Sequence, residues 1–160
     1  MTVDEINLRD IGIIENNGRK ASIKLHKKYV PGIIGLKGYS HLLIVWCFHK
    51  SDNNIFKDQL VVEKPYKNGP EEIGVFATRS PNRPNPIGIS VAQVKAINFE
   101  KGIIDLWWMD ADQGTPVLDI KPYSPSVDKV EKPEVPDWCK HWPKNMEGSA
   151  EFDWENEFNF

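Results

Sequence analysis

Apolar residues fall in short runs separated by turn residues, with no long stretch of helical period between them. Leu8 to Glu15 predicts a first strand. Asn16-Asn17-Gly18 follows as a turn, built from residues that tolerate or prefer left-handed φ/ψ, and Ala21 to Leu25 returns. The Pro31-to-Gly38 stretch is too rich in glycine for a stable helix. His41 to His49 is continuous and β-branched with polar flanks, which predicts a fully buried strand. Ser51 to Asn54 reads as a loop and Ile73 to Thr78 as a short strand. Ile87 to Phe99 reads as a long strand whose alternation breaks near Val94, where a bulge or bend fits. Gly102 makes a turn before a strand from Ile103 to Met109. Strands this closely spaced predict a mainly β fold, with a mostly antiparallel sheet closed into a barrel or sandwich and short helical or loop insertions.

The character changes after Lys121. Pro122, Pro125, Pro133 and Pro136 mark an extended connector, and Trp138, Trp142, Phe152, Trp154, Phe158 and Phe160 follow among acids. The expected division is a barrel domain over 1–125 and an aromatic, acidic C-terminal extension over 126–160. That extension should wrap the barrel or a partner and form no core of its own. Charge supports the division. The chain of 160 residues has a net charge of -3, but residues 126–160 hold nine acids against four bases. The rest is therefore slightly basic, with 16 bases against 14 acids. Composition excludes a general polycation and leaves open a body that grips one RNA loop.

A chain of this length can bury a core without disulfides or metal. Its two cysteines form no disulfide framework. Cys47 lies inside the apolar run as a small hydrophobe, and Cys139 with His141 lacks a second pair at ligand spacing, so no metal is expected. The longest apolar run, Leu42 to Phe48, has seven residues, against about 20 for a membrane span. Met1 to Glu5 is acidic and shows no signal-peptide core. The expectation is a cytoplasmic protein without a membrane segment.

Two segments carry candidate chemistry. Gly74 to Ser90 reads GVFATRSPNRPNPIGIS, with Pro81, Pro84 and Pro86 stiffening a loop that carries Arg79, Ser80, Asn82, Arg83 and Asn85. Two readings stand. The donors hold an anionic or polar ligand, or the arginines pair with local carboxylates in a proline-braced loop. Asp110 to Tyr123 reads DADQGTPVLDIKPY. Gly114-Thr115-Pro116 is a turn, Val117, Leu118 and Ile120 anchor a strand, and Asp119, Lys121 and Tyr123 alternate onto the other face. An acid, an amine and a phenol on one face suit proton transfer. A plain surface ion pair beside a tyrosine is the other reading.

Together with GLKGYSHLLIVWCFH (Gly35 to His49), these motifs strongly resemble the TsaA-like, TrmO-type family over roughly Asp10 to Pro125. That resemblance implies a small β-barrel that binds S-adenosylmethionine. It also implies methyl transfer to N6 of threonylcarbamoyl-adenosine beside the anticodon of certain tRNAs. By motif position, the cofactor contacts would be His49, Lys50, Arg79, Ile89, Trp107, Trp108, Met109 and Asp110. Arg79 suits the methionine carboxylate, Asp110 the ribose diol and Ile89 the adenine wall. Trp107 and Trp108 could equally be one core and one interface residue, and His49 a strand cap. Asp119 is the candidate base or orienting group, supported by Lys121 and Tyr123. Ser80, Asn82, Arg83 and Asn85 would line the acceptor side. Long members of the family carry a Pro-Arg cofactor contact after the first strand. Here Glu15-Asn16-Asn17-Gly18-Arg19 stands instead, with Asn16 or Arg19 as the candidate substitute. Long members also carry a C-terminal domain, where this chain has its aromatic tail. The expected partners are a tRNA anticodon loop and a second copy of the chain. The alternatives are a methyltransferase of the same fold on another RNA or small molecule, and a non-catalytic S-adenosylmethionine-binding module.

Overall fold

The computed structural model describes residues 6–160. Its strands are β1 (Gly12–Asn16), β2 (Ala21–Leu25), β3 (His41–Cys47), β4 (Val61–Glu63), β5 (Glu72–Gly74), β6 (Ile87–Asn98), β7 (Ile103–Leu106) and β8 (Pro116–Pro122). The helices are single short turns: α1 (Asn54–Lys57), α2 (Pro125–Asp128), α3 (Met146–Ala150) and several 3-10 segments. By backbone proximity the chain forms two compact units. The first is the chain through Asn53 together with Asn85–Lys129; the second is Asn54–Pro84 together with Val130–Phe160. This division differs from one drawn after residue 125, because the segment between β3 and β6 groups with the tail.

In the first unit, six strands pair in the ring β1-β2-β7-β6-β3-β8 and β8 closes onto β1, giving a closed barrel of antiparallel ladders. The first strand starts at Gly12, where pairing with both Leu25 and Val117 begins, while Leu8 is exposed. The inward side chains form one core: Ile14, Ile23, Leu42, Ile44, Ile104 and Val117 are all fully shielded. The β3 run proves to be buried on one face only. Leu42, Ile44 and Trp46 point in, and Leu43 and Val45 are half-buried on the outside. A continuous apolar run conceals this alternation, because both faces use the same residue types.

Two bulges keep the alternation in phase. Trp46 pairs with Val117 but Val45 pairs with Asp119, so Leu118 is an extra residue in β8. Without it Val117 and Asp119 would share a face. With it Val117 goes inside and Asp119 goes out. The second bulge is at the expected place, near Val94. Val94 pairs with Leu106 and Ala96 with Asp105, leaving Lys95 as the extra residue of β6.

The core has one tight point. A Cβ on Gly88 would come within 2.5 Å of the Trp46 ring, which lies directly over that residue. The indole N–H donates to Ser90 Oγ at 3.0 Å, so Gly88 makes room for the ring and Ser90 satisfies it.

The second unit has its own apolar centre, contrary to the expectation for the tail. Tyr66 stacks on Trp138 with centroids 5.0 Å apart and meets Trp142 and Phe158 at 5.4 and 5.6 Å. Trp154 extends the cluster to Phe152. The Glu157 carboxylate is buried and accepts from Trp142 Nε1 at 3.0 Å, with His141 Nε2 at 2.9 Å. Those two bonds, the indole's first, hold its pKa below the ordinary carboxylate value. Aromatic area compensates for a unit that has only one two-stranded ladder, β4 with β5.

Gly88→Ala should lower the unfolding free energy by about 2 kcal/mol, as overpacking against a fixed ring does. Gly32→Ala, with open space around its Cβ, should leave it within about 0.5 kcal/mol. Urea denaturation of both variants checks the pair.

Candidate functional site

The first unit gathers six of the sequence-derived site residues, His49, Lys50, Trp107, Trp108, Met109 and Asp110, on or against one loop, residues 107–115, between β7 and β8. This loop is tied down at several points. The Asn16 side chain, at the end of β1, donates both amide protons, to the carbonyls of Met109 at 3.0 Å and Ala111 at 2.8 Å. Its backbone N–H donates to Gln113 Oε1 at 2.7 Å. Lys50 pairs with Asp112 at 3.0 Å, and His49 Nδ1 lies 3.3 Å from the hydroxyl of fully buried Thr115. The Gly114 N–H reaches back to the Ile14 carbonyl at 2.8 Å. His49 and Lys50 are thus brought to the loop from the end of β3.

The tethered loop presents a specific set of groups. Trp107 and Trp108 are 61% and 65% exposed, which excludes a core role for either. Lys95, the bulge residue of β6, sits over the Trp107 ring at 5.0 Å. Asp110 is exposed. Met109 differs: the residue is 2% exposed and packs in the barrel core, with its carbonyl held by Asn16. Ile89 stands on the outer face of β6 and is about half exposed. The carbonyl of Asn85 accepts from the Ile87 N–H and Pro86 pairs with Phe48. The P-I-G-I-S end of the first motif therefore starts β6 and shapes its packing.

On the outer face of β8, the Lys121 ammonium contacts the Asp119 carboxylate at 2.7 Å. That hydrogen bond, and then the charge behind it, raise the Lys121 pKa. Lys121 stays protonated and cannot serve as a base at neutral pH. Tyr123 meets His41 edge-on at 6.4 Å. The face expected for Asp119, Lys121 and Tyr123 is present, but the ion-paired form is the one observed.

In the second unit, the Thr78–Pro84 loop is braced internally. Arg83 donates through Nε to the Ser80 carbonyl at 2.8 Å and through Nη2 to those of Thr78 and Val75 at 2.6 and 3.0 Å. Thr78 Oγ1 accepts from the Ser80 N–H, and Ser80 Oγ from the Asn82 N–H. Arg83 therefore holds main-chain carbonyls, a brace that neither sequence reading anticipated. Arg79 is exposed on the same loop.

Sequence reasoning passed over Asn16 as a tether and missed Asp112, Thr115 and Lys95. Only the Asn-Asn-Gly turn beside Asn16 gave a local signal. Cys139 donates to the Pro136 carbonyl and His141 pairs with Glu157, so the two do not converge on an ion. Among the described residues, no group of three or more potential ligands is placed to hold a metal, and no helix is long and apolar enough to cross a membrane.

Known proteins resemble this chain in sequence and in fold. The family model for the tRNA-methyltransferase O N-terminal domain matches residues 13–129. An S-adenosyl-L-methionine-binding protein of Archaeoglobus fulgidus is 36% identical over 114 residues, covering 71% of this chain and 76% of its own. The tRNA (adenine(37)-N6)-methyltransferase of Escherichia coli is 34% identical over 124 residues, covering 76% of this chain and 52% of its own. A probable S-adenosyl-L-methionine-binding protein of Pyrococcus abyssi is matched over 59% of its length, so this chain spans little more than half of several relatives. The crystal structure of TrmO from Pseudomonas aeruginosa superposes with a TM-score of 0.64 at 27% identity, over 83% of this chain and 62% of that one.

Arg83→Lys should cost about 2 kcal/mol of stability, because one ammonium cannot reach three carbonyls held by a guanidinium fork. Chemical denaturation measures it. Stability equal to the wild type would contradict the bracing role.

Proposed function

This chain belongs to the tRNA-methyltransferase O N-terminal domain family, and on that footing we propose that it transfers a methyl group from S-adenosylmethionine to tRNA. The acceptor is N6 of the adenosine at position 37, the site in the name of the relatives called tRNA (adenine(37)-N6)-methyltransferase, and here it carries the threonylcarbamoyl group. The protein works in the cytoplasm. The observation that carries the reading is the tethered 107–115 loop, whose exposed groups match the cofactor's chemistry.

The donor set suits S-adenosylmethionine. Trp107, Trp108 and Ile89 offer apolar surface to adenine, and the Asp110 carboxylate accepts from ribose hydroxyls. His49 and Lys50 contact the cofactor from the end of β3, and Met109, packed in the core, anchors the loop between Trp108 and Asp110. For Arg79 the assignment rests on its motif alone: its guanidinium holds the cofactor's carboxylate. When bound, the cofactor supplies a methyl group made electrophilic by a sulfonium.

The protein's task is then alignment, which is worth about 7–11 kcal/mol when donor and acceptor are held in reacting geometry. Asp119 accepts a hydrogen bond from the acceptor N–H and orients its lone pair. The Lys121 ammonium contacts that carboxylate and fixes its position, and Tyr123 follows on the same face. Ser80, Asn82 and Asn85 contact the acceptor nucleotide. Arg83 acts through the loop whose carbonyls it holds. An unstacked anticodon-loop base can be read on such groups and on aromatic faces.

A second copy of the chain covers the outside of β3 and β6. Leu43 pairs with Val91 and Val45 with Ile89, making an outward apolar patch bordered by Asp119 and Lys121. A patch with both signs of charge at its rim is self-complementary across a two-fold axis.

Incubation with S-adenosylmethionine and tRNA bearing threonylcarbamoyl-adenosine, followed by nucleoside mass spectrometry, should yield the N6-methylated nucleoside. Asp119→Asn should cut the rate about a hundredfold, and Arg79→Ala should abolish the cofactor's thermal stabilisation of the protein. Stabilisation without turnover on tRNA would instead favour a cofactor-binding module, the function named for the Archaeoglobus relative. Absence of stabilisation in the wild type would overturn the reading. Sedimentation equilibrium should return twice the chain mass, and Val91→Glu should return the chain mass itself. A monomeric wild type would rule the dimer out.

A further inference from the structure

We propose that Asn16 is a positioning residue for cofactor binding, one that acts by setting the main chain on either side of Asp110. The inference rests on the reading above that the 107–115 loop holds S-adenosylmethionine. Asn16 is spatially the end of β1, yet its bonds go to a loop more than ninety residues further along the chain. One carboxamide donates to the carbonyl that precedes Asp110 and to the carbonyl that follows it by one residue, at 3.0 and 2.8 Å. Peptide groups are planar, so fixing the Met109 carbonyl fixes the plane that enters Asp110, and fixing the Ala111 carbonyl holds the chain one residue beyond it, which together limit the direction of the Asp110 side chain.

The other anchors of the loop lie to either side of this point. On the β7 side, the Met109 side chain is held in the core and the Trp107 N–H donates to the Gln93 carbonyl at 3.0 Å. On the β8 side, Lys50 holds Asp112, and His49 meets Thr115. Between them Asn16 is the side chain that spans the turn. Its own carbonyl oxygen accepts from the Gly18 N–H at 3.0 Å, which locks the amide's orientation and its donors toward the loop. Both amide protons are occupied, so Asn16 is no direct cofactor ligand in place of an arginine. Its contribution is to hold the groups that are.

A carboxylate of the same size has no protons to donate. Asn16→Asp keeps the bond to Gly18 and turns an anion toward two carbonyl oxygens, whereas Asn16→Ala removes every side-chain bond. Both should raise the S-adenosylmethionine dissociation constant about tenfold, with Asp the worse of the two. Calorimetry and quenching of Trp107 and Trp108 fluorescence report that constant. In the free protein, hydrogen exchange of the 110–113 amides should quicken in both variants. The KM for tRNA should stay at its wild-type value.

Ile104→Val, a trim of a fully buried β7 residue, supplies a destabilised control remote from the loop contacts. It should leave the dissociation constant unchanged. If both Asn16 variants bind like the wild type, the inference falls while the function stands. If Ile104→Val weakens binding as much, the effect is general destabilisation and the inference also falls. If the wild-type protein does not bind S-adenosylmethionine, the functional reading itself fails and the inference with it.

Discussion

A sheet closed on itself has a single interior, so each of its strands must keep one row of side chains pointing inward along its whole paired length. Every strand of this barrel pairs with two neighbours, and β6 and β8 meet the demand only by carrying one extra residue each. A strictly alternating β8 would place Val117 and Asp119 on one face, putting either an acid in the core or a valine in water. The extra residue at Leu118 removes that conflict. The extra residue at Lys95 does the same where β6 turns from β3 to β7, and it leaves a lysine over the Trp107 ring. Ring closure thereby sets which side chains of the second motif face solvent.

The same closure explains why the P-I-G-I-S segment has a packing role beside any functional one. Gly88 and Ser90 face inward beneath Trp46, while Ile89 faces out. Segments that seem rich in ligand-binding chemistry can divide their residues between the two faces of one strand, because successive side chains alternate. Arg83 makes a comparable division within its loop. A guanidinium that satisfies three carbonyls stiffens the loop that carries Arg79, so one arginine supports the presentation of the other's neighbourhood.

The candidate site depends on a loop of little regular structure supported by a rigid sheet, an arrangement common to binding sites. Such a loop needs its carbonyls satisfied, since unpaired main-chain groups are costly once shielded from water. Asn16 provides this for two carbonyls from the end of β1, while Lys50 and His49 hold the Asp112 and Thr115 side chains from the end of β3. The exposed tryptophans then carry apolar surface that the core does not use. On a structural view, the motif's chemistry is a consequence of main-chain bookkeeping at the ends of β1 and β3.

The amino-acid pattern alone located the Asn-Asn-Gly turn and the irregularity near Val94, because those features depend on local φ/ψ preference and on period, whereas pairing set strand ends such as Gly12 for β1 and Gly74 for β5. It also pointed to the three segments that carry the family resemblance, all within the residues that the family model matches. It did not disclose that β3 is half outward, since leucine, valine and isoleucine occur on both of its faces. It did not disclose that Arg83 folds back on its own loop, or that the aromatic tail joins residues 54–84 around Tyr66. Nor did it reveal Asn16 as the tether of a loop more than ninety residues away. Those outcomes depend on pairings between distant segments, and a donor has no sequence signature for an acceptor that only chain folding brings within 3 Å.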